Sequence, residues 1–195
     1  RMDLLGYLVV ARCHDGQLLR GTTNDFRPDR FFFHIFDPQL QRSNRVLHDQ
    51  LKALFFVKTL EGDPYYVERK TFDRDKPDHT KIWIRFHDGE ELAGWTDGYD
   101  EQKKGFTLFP VDPRSNIAKV WIPHVAAAEV RLGADAENAA NAVQSQERAR
   151  PRSIAPQDWD ALLAIEPADL QRMARDHGNR VQGQRRDPSR PDRRR

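Results

Sequence analysis

The tripeptide His-Asp-Gly occurs twice, at His14–Gly16 and His87–Gly89, and the residues flanking the two copies agree in physical character. At an offset of 73 residues, Val9, Ala11 and Cys13 fall on Ile82, Ile84 and Phe86, with Val10 and Arg12 between them on Trp83 and Arg85. Such period-two alternation predicts strands with one buried and one exposed face. Cys13 then sits inward as a small core residue where the second copy has Phe86. Asp15-Gly16 and Asp88-Gly89 predict tight hairpin turns, because aspartate and glycine tolerate positive φ. Further on, Leu19 matches Leu92, Gly21 matches Gly94 and Phe26 matches Tyr99. A glycine inside the second strand of each copy marks a sharp bend or a close approach of two backbones.

Two inserted residues then bring the offset to 75, laying Phe31 over Phe106, Phe33 over Leu108 and Asp37-Pro38 over Asp112-Pro113. Both copies continue with Arg-Ser-Asn, at Arg42–Asn44 and Arg114–Asn116, and with a final extended stretch, "RVLHDQLKALFFV" and "KVWIPHVAAAEVRL". A turn, a bend glycine, an inward pattern and two later motifs in the same order predict a duplicated five-strand unit.

A chain of 195 residues and 22.7 kDa has room for two such small domains. One cysteine excludes an intrachain disulfide and a cysteine-rich zinc site, and fits a reducing compartment. The N-terminal apolar run is broken at once by Arg12, His14 and Asp15, so it does not read as a secretory signal. No stretch approaches the ~20 apolar residues of a membrane span, and the expectation is a soluble cytoplasmic protein. From Gln171 onward nine arginines stand against three aspartates, about +6, which leaves about −4 on the rest of a chain of net charge +2. Mixed charge on the body argues against a dedicated nucleic-acid face.

Residues 134–152 are alanine-rich and polar and read as a spacer or solvated helix. Residues 153–178 predict a short helical hairpin, with Trp159, Leu162 and Leu163 on one helix and Leu170, Met173 and Ala174 on the other. Residues 179–195 read as a disordered arginine-rich tail, in which Arg185, Arg186, Arg193, Arg194 and Arg195 are candidates for electrostatic contact with nucleic acid. No nucleophile elbow, Walker-type loop or H-E-x-x-H pattern is present, and His14 and His87 lack further ligands nearby, so no enzyme, metal, cofactor or small-molecule substrate is assigned.

"KIWIRFHDGEELAGWTDGYDEQKKGFTLFP" resembles the first motif of Sm-like proteins, with Gly89, Gly94 and Asp100 at matching places, and "KVWIPHVAAAEV" loosely resembles the second. "ALFFVKTLEGDPYYVERK" and "GYDEQKKGFTLFPVDPRSN" are similar to an uncharacterised bacterial domain family associated with Sm-like folds. The resemblance implies a mainly β protein: two tandem five-stranded Sm-like barrels, residues 1–57 and 81–133, joined by a linker, 58–80, in which Tyr65 and Tyr66 cover a barrel edge.

Sm-like proteins, the bacterial Hfq type among them, form rings by pairing barrel edges and bind RNA. For this chain the resemblance implies RNA-facing positions at Asn24, Phe26, Asp97 and Tyr99, and at Arg42, Asn44, Arg114 and Asn116. The segments needed for PilZ-type nucleotide binding are not met, since Arg27 and Arg30 lie too close together. Two readings result. One is a bacterial, non-enzymatic module that binds protein partners or itself through barrel edges and outward aromatics such as Trp83 and Trp121; the other is an RNA-binding pseudo-symmetric ring.

Overall fold

The structure is a computed structural model in which residues 6–149 are described. In chain order the strands are β1 (Tyr7–Cys13), β2 (Leu18–Thr23), β3 (Phe32–Asp37), β4 (Arg42–Leu47), β5 (Leu51–Val57), β6 (Thr80–Phe86), β7 (Glu91–Thr96), β8 (Gly105–Pro110), β9 (Ile117–Pro123) and β10 (Ala127–Leu132), followed by helix α1 (Gly133–Ala149). They form one antiparallel sheet in the order β10-β6-β7-β8-β9-β5-β1-β2-β3-β4. The protein is mainly β, and the order β5-β1-β2-β3-β4 recurs as β10-β6-β7-β8-β9. No strand pair among the described residues closes either half on itself; β5 pairs with β9 and makes the sheet continuous.

The two predicted turns are the same turn. In one, Cys13 N–H donates to Gln17 O and Gly16 N–H to Cys13 O; in the other, Phe86 N–H donates to Glu90 O and Gly89 N–H to Phe86 O. Only the glycines take positive φ, +85° at Gly16 and +87° at Gly89. The aspartates act instead through their carboxylates, which accept from the N–H groups of Gln17 (2.8 Å) and Glu90 (3.1 Å). Gly21 and Gly94 also share one environment. A Cβ on Gly21 would lie 1.9 Å from Phe36 O, and one on Gly94 2.3 Å from Phe109 O, so each glycine admits the backbone of the next strand.

Those partners, Phe36 and Phe109, correct the alignment. The offset stays at 73 through β3 and β8, where Phe33 corresponds to Phe106 and Ile35 to Leu108, all four buried. Phe31, matched by letter to Phe106, is 77 % exposed. The insertion falls later, in the turn between the third and fourth strands. Val46 pairs with Phe33 and Ile122 with Phe106, an offset of 76 that also holds for β5 and β10. The two Arg-Ser-Asn tripeptides are therefore not equivalent: Arg42–Asn44 begin β4, whereas Arg114–Asn116 form the turn before β9.

The joint between halves explains why all seven residues of β5 are buried. Leu51, Leu54 and Phe56 face the first core with Val9, Ala11, Phe33, Ile35 and Val46, while Ala53, Phe55 and Val57 enter the second core with Ile82, Ile84, Phe106, Leu108 and Ile122. In return, Trp121 of β9 enters the first core. Each half thus buries side chains of the other, and neither interior is complete alone. Lys52, 5 % exposed, crosses the same joint to Asp88 and Glu90, and Arg12 reaches Glu90 at 3.4 Å.

Of the two readings of residues 134–152, spacer or solvated helix, residues 134–149 take the helix, with one face packed rather than solvated all round. They lie in α1, whose Ala136, Ala139 and Ala140 are buried against Trp83, with Val143 alongside. The segment 58–79 likewise packs on the second half, through Phe72 edge-on to Trp95 at 5.1 Å. Tyr66 donates its hydroxyl to Asp112 (2.5 Å), and Tyr65 is 91 % exposed. The predicted hairpin at 153–178 and tail at 179–195, with Arg185, Arg186, Arg193, Arg194 and Arg195, lie outside the described residues.

Candidate functional site

Among the described residues the sheet ends on β4, which pairs there only with β3. Its counterpart in the second half is β9, and there the corresponding edge is filled: Leu54, Phe55, Phe56 and Val57 of β5 pair with Trp121, Val120, Lys119 and Ile117. Transferring the offset of 76, Arg45 stands where β9 has Trp121, Asn44 where it has Val120, and Gln41 where it has Ile117. The filled edge carries Ile117, Val120 and Trp121 beside Lys119, where the free edge carries Gln41, Asn44 and Arg45 beside Ser43.

The outer face beside the free edge is partly bare. Phe32 and Phe36 of β3 are 39 % and 41 % exposed, and the Arg45 guanidinium lies 4.2 Å above the Phe32 ring. Between the two phenylalanines, His34 donates its backbone N–H to Asp25 (2.9 Å) and places its ring Nδ1 2.8 Å from the other carboxylate oxygen. Burial pushes the Asp25 carboxyl up, but these bonds and the Thr23 hydroxyl together hold it below its ordinary value. In the second half the counterparts of Phe32 and Phe36 are Gly105 and Phe109. Gly105 leaves room for Trp121, and Phe109 is met by His79 and by the Lys76 ammonium, each 5.7 Å from its ring centroid.

The residues singled out from sequence do not form one site. Phe26 and Tyr99, equivalent at offset 73, both turn inward. Phe26 packs on Phe33, His48, Phe56 and Trp121, and Tyr99 on Phe106 and His124. Asn24 and Asp97 are exposed in the preceding loops. Asn116 clamps the segment after β5, accepting from Thr59 N–H (3.0 Å) and donating to Thr59 O (3.0 Å), while Arg114 is exposed in the same turn. Arg42 and Asn44 lie on the free edge. Trp83 and Trp121, expected on outer faces, are 4 % and 3 % exposed, because α1 covers the first and the opposite half's core takes the second. Sequence reading missed His48: a polar ring 7 % exposed among Phe26, Phe33 and Trp121, with neither nitrogen hydrogen-bonded among the described residues. Desolvation lowers its pKa, and Lys104 adds to this against Asp29 and Asp49.

Strand order and reciprocal joint define the class: a tandem β-repeat protein whose two halves share their cores. Residues 7–134 match a family described as a family of unknown function, DUF6982, and the chain belongs to it. The matched span runs from β1 to the start of α1, so the family unit contains both halves and the joint. No curated protein and no solved structure matches the chain. No helix among the described residues is long and apolar enough to cross a membrane.

Proposed function

We propose that the chain is a non-enzymatic interaction module built from two Sm-like repeats, in which the second half braces the first and the free β4 edge receives a protein partner. One observation carries this reading: the same edge in the second half, β9, accepts an antiparallel strand in this very chain, whereas β4 has no second partner strand among the described residues. The recurring order β5-β1-β2-β3-β4 supports the Sm-like resemblance.

Solution mass combined with RNA titration tests the reading. Expected are a single-chain mass and RNA binding that vanishes when residues 179–195 are removed, as for a purely electrostatic tail. A trimer whose RNA binding survives that deletion would replace it with the ring reading. Ring closure requires β10 of one chain to pair with β4 of the next. In the register of the existing joint this sets Val130 against Arg45 and Arg131 against Asn44, where the joint itself has Leu54 against Trp121 and Phe55 against Val120. That apolar-for-polar exchange favours the module over the ring.

A further inference from the structure

We propose that the loop 24–31, between β2 and β3, is an acid-released lid on the first core, and that a proton on the His48 ring lets it open. The device is independent of what meets β4.

The lid is built around Phe26, whose ring packs against Phe33, Phe56, Trp121 and His48 at centroid distances of 5.1, 5.7, 5.3 and 5.4 Å. It is fastened at both ends. At its start, Asp25 accepts from the Thr23 hydroxyl (3.2 Å) and the His34 N–H (2.9 Å), with the His34 ring beside it. At its far end, Phe31 O accepts from His48 N–H (2.9 Å), Lys104 donates its ammonium to Asp29 O (3.0 Å), and the same ammonium lies 3.9 Å from the Phe31 ring centroid. Lys104 belongs to the second half, so this fastening spans the two halves.

The second half carries the same loop with its histidine satisfied. His124 stands at the place of His48; its N–H donates to Lys104 O (3.1 Å) and its ring Nε2 to Asp100 O (2.9 Å). At the offset of 73 the counterpart of Asp100 is Arg27. Neither nitrogen of His48 has a hydrogen-bond partner among the described residues, and the ring is 7 % exposed. Burial first, and Lys104 after it, disfavour the charged ring, against Asp29 of the lid and Asp49 of its own turn. The rings packed on it, Phe26, Phe33 and Trp121, are uncharged. A proton on His48 therefore sets a second buried cation against the lysine that fastens the lid.

The closed lid holds the ring neutral, whereas an open lid leaves it in water with its ordinary value of about 6.5, so opening is favoured as pH falls below that value. Between pH 7 and 5 the opening constant rises at most about 25-fold. The hinge end does not loosen, because an imidazolium at His34 is a better donor to Asp25 than a neutral ring. Release uncovers Phe56 and Trp121 beneath Phe26.

Hydrogen exchange of the full chain at pH 7 and pH 5, corrected for the intrinsic rate at each pH, tests the proposal on two equivalent amides, those of His48 and His124. The His48 amide is expected to open about 10- to 25-fold more at pH 5, with almost no denaturant slope, while that of His124 changes by less than about twofold. His48→Leu keeps the amide and should remove the rise, whereas His124→Leu should leave it in place. If the His48 amide of the unchanged chain opens only with the denaturant slope of the β2 amides, no separate lid exists and the proposal is overturned. A rise that persists in His48→Leu, or one that His124 matches, overturns it as well.

Discussion

Val10, Ala53, Phe55 and Val57, on the outer face of β1 and β5, correspond position for position to Trp83, Glu129, Arg131 and Gly133 in the second half. The first set lies in the core of the neighbouring half. The second set is a surface with its own roof: Glu129 pairs with Arg85 and Arg131, both arginines stack on Trp83 at 5.4 and 5.3 Å, and α1 lays Ala136, Ala139 and Ala140 over the indole. One backbone scaffold thus serves as a joint where its outward residues are apolar, and as a terminus where they are charged and covered by a helix. The fourth strands make the same contrast on the other side, with Trp121 buried in the joint and Arg45 free at the edge. Apolar side chains thus fill the joint and charged ones stand at both ends, and charge is one of the devices by which natural sheets blunt exposed edges.

The strongest way to break the contrast is Trp121→Ala, which empties the first core at the joint. It should cost about 3–5 kcal/mol, the usual range for a buried aromatic, read from the denaturant midpoint at unchanged slope. The matching change at the free edge, Arg45→Ala, belongs at the bottom of the scale, within about 0.5 kcal/mol. A comparable loss for the two would show that the halves are not used differently.

Between these extremes fall the glycines. Gly21→Ala and Gly94→Ala each drive a methyl group into a carbonyl oxygen of the next strand, so overpacking of about 1–3 kcal/mol is expected. Gly21 should lose the more, because its φ of +155° adds a conformation that alanine rarely adopts. An equal loss would mean that the close approach alone decides.

The smaller effect of pH sharpens the comparison of His48 with His124. His124 reaches Asp100 O at 2.9 Å, whereas neither nitrogen of His48 has a hydrogen-bond partner among the described residues. Since burial lowers the folded-state pKa of His48, the unfolded chain binds the proton first. Stability contributed by the neutral ring is present above the unfolded value of about 6.5 and is lost as pH falls through the folded value, with a slope of at most about 1.4 kcal/mol per pH unit. His48→Leu should flatten that dependence between pH 7 and 5, and a profile as steep as that of the unchanged protein would remove His48 from the joint's energetics.

Backbone requirements were legible in the sequence. The turns at Gly16 and Gly89 and the close approaches at Gly21 and Gly94 are local, and only glycine meets them. Matching by letters failed where chemistry is generic: Arg-Ser-Asn recurs at unrelated positions, because turn residues satisfy local backbone groups in many settings. Asp37-Pro38 and Asp112-Pro113, by contrast, do open the same turn, each aspartate accepting from the N–H two residues on. The joint did leave a trace, since "LKALFFV" is apolar at consecutive positions, the mark of a strand covered on both faces. The docking of α1 left one too, with Ala136, Ala139, Ala140 and Val143 at helical spacing. What could not be read was the partner of an outward tryptophan. Trp83 and Trp121 look alike in a strand pattern, and only the assembled sheet sends one under a helix and the other into the opposite core. The open edge at β4 was equally hidden, because it is defined by which strand fails to find a partner.

The central claim is that reciprocal insertion of Phe55, Val57 and Trp121 makes the two halves one cooperative unit. Native-state hydrogen exchange across a denaturant series tests it directly, comparing amides of β2 in the first half with those of β7 in the second. The slowest amides of both strands are expected to converge on one opening free energy with one denaturant slope. If β2 opens at a lower free energy with a smaller slope while β7 stays protected, each half holds its own core and the joint does not couple them.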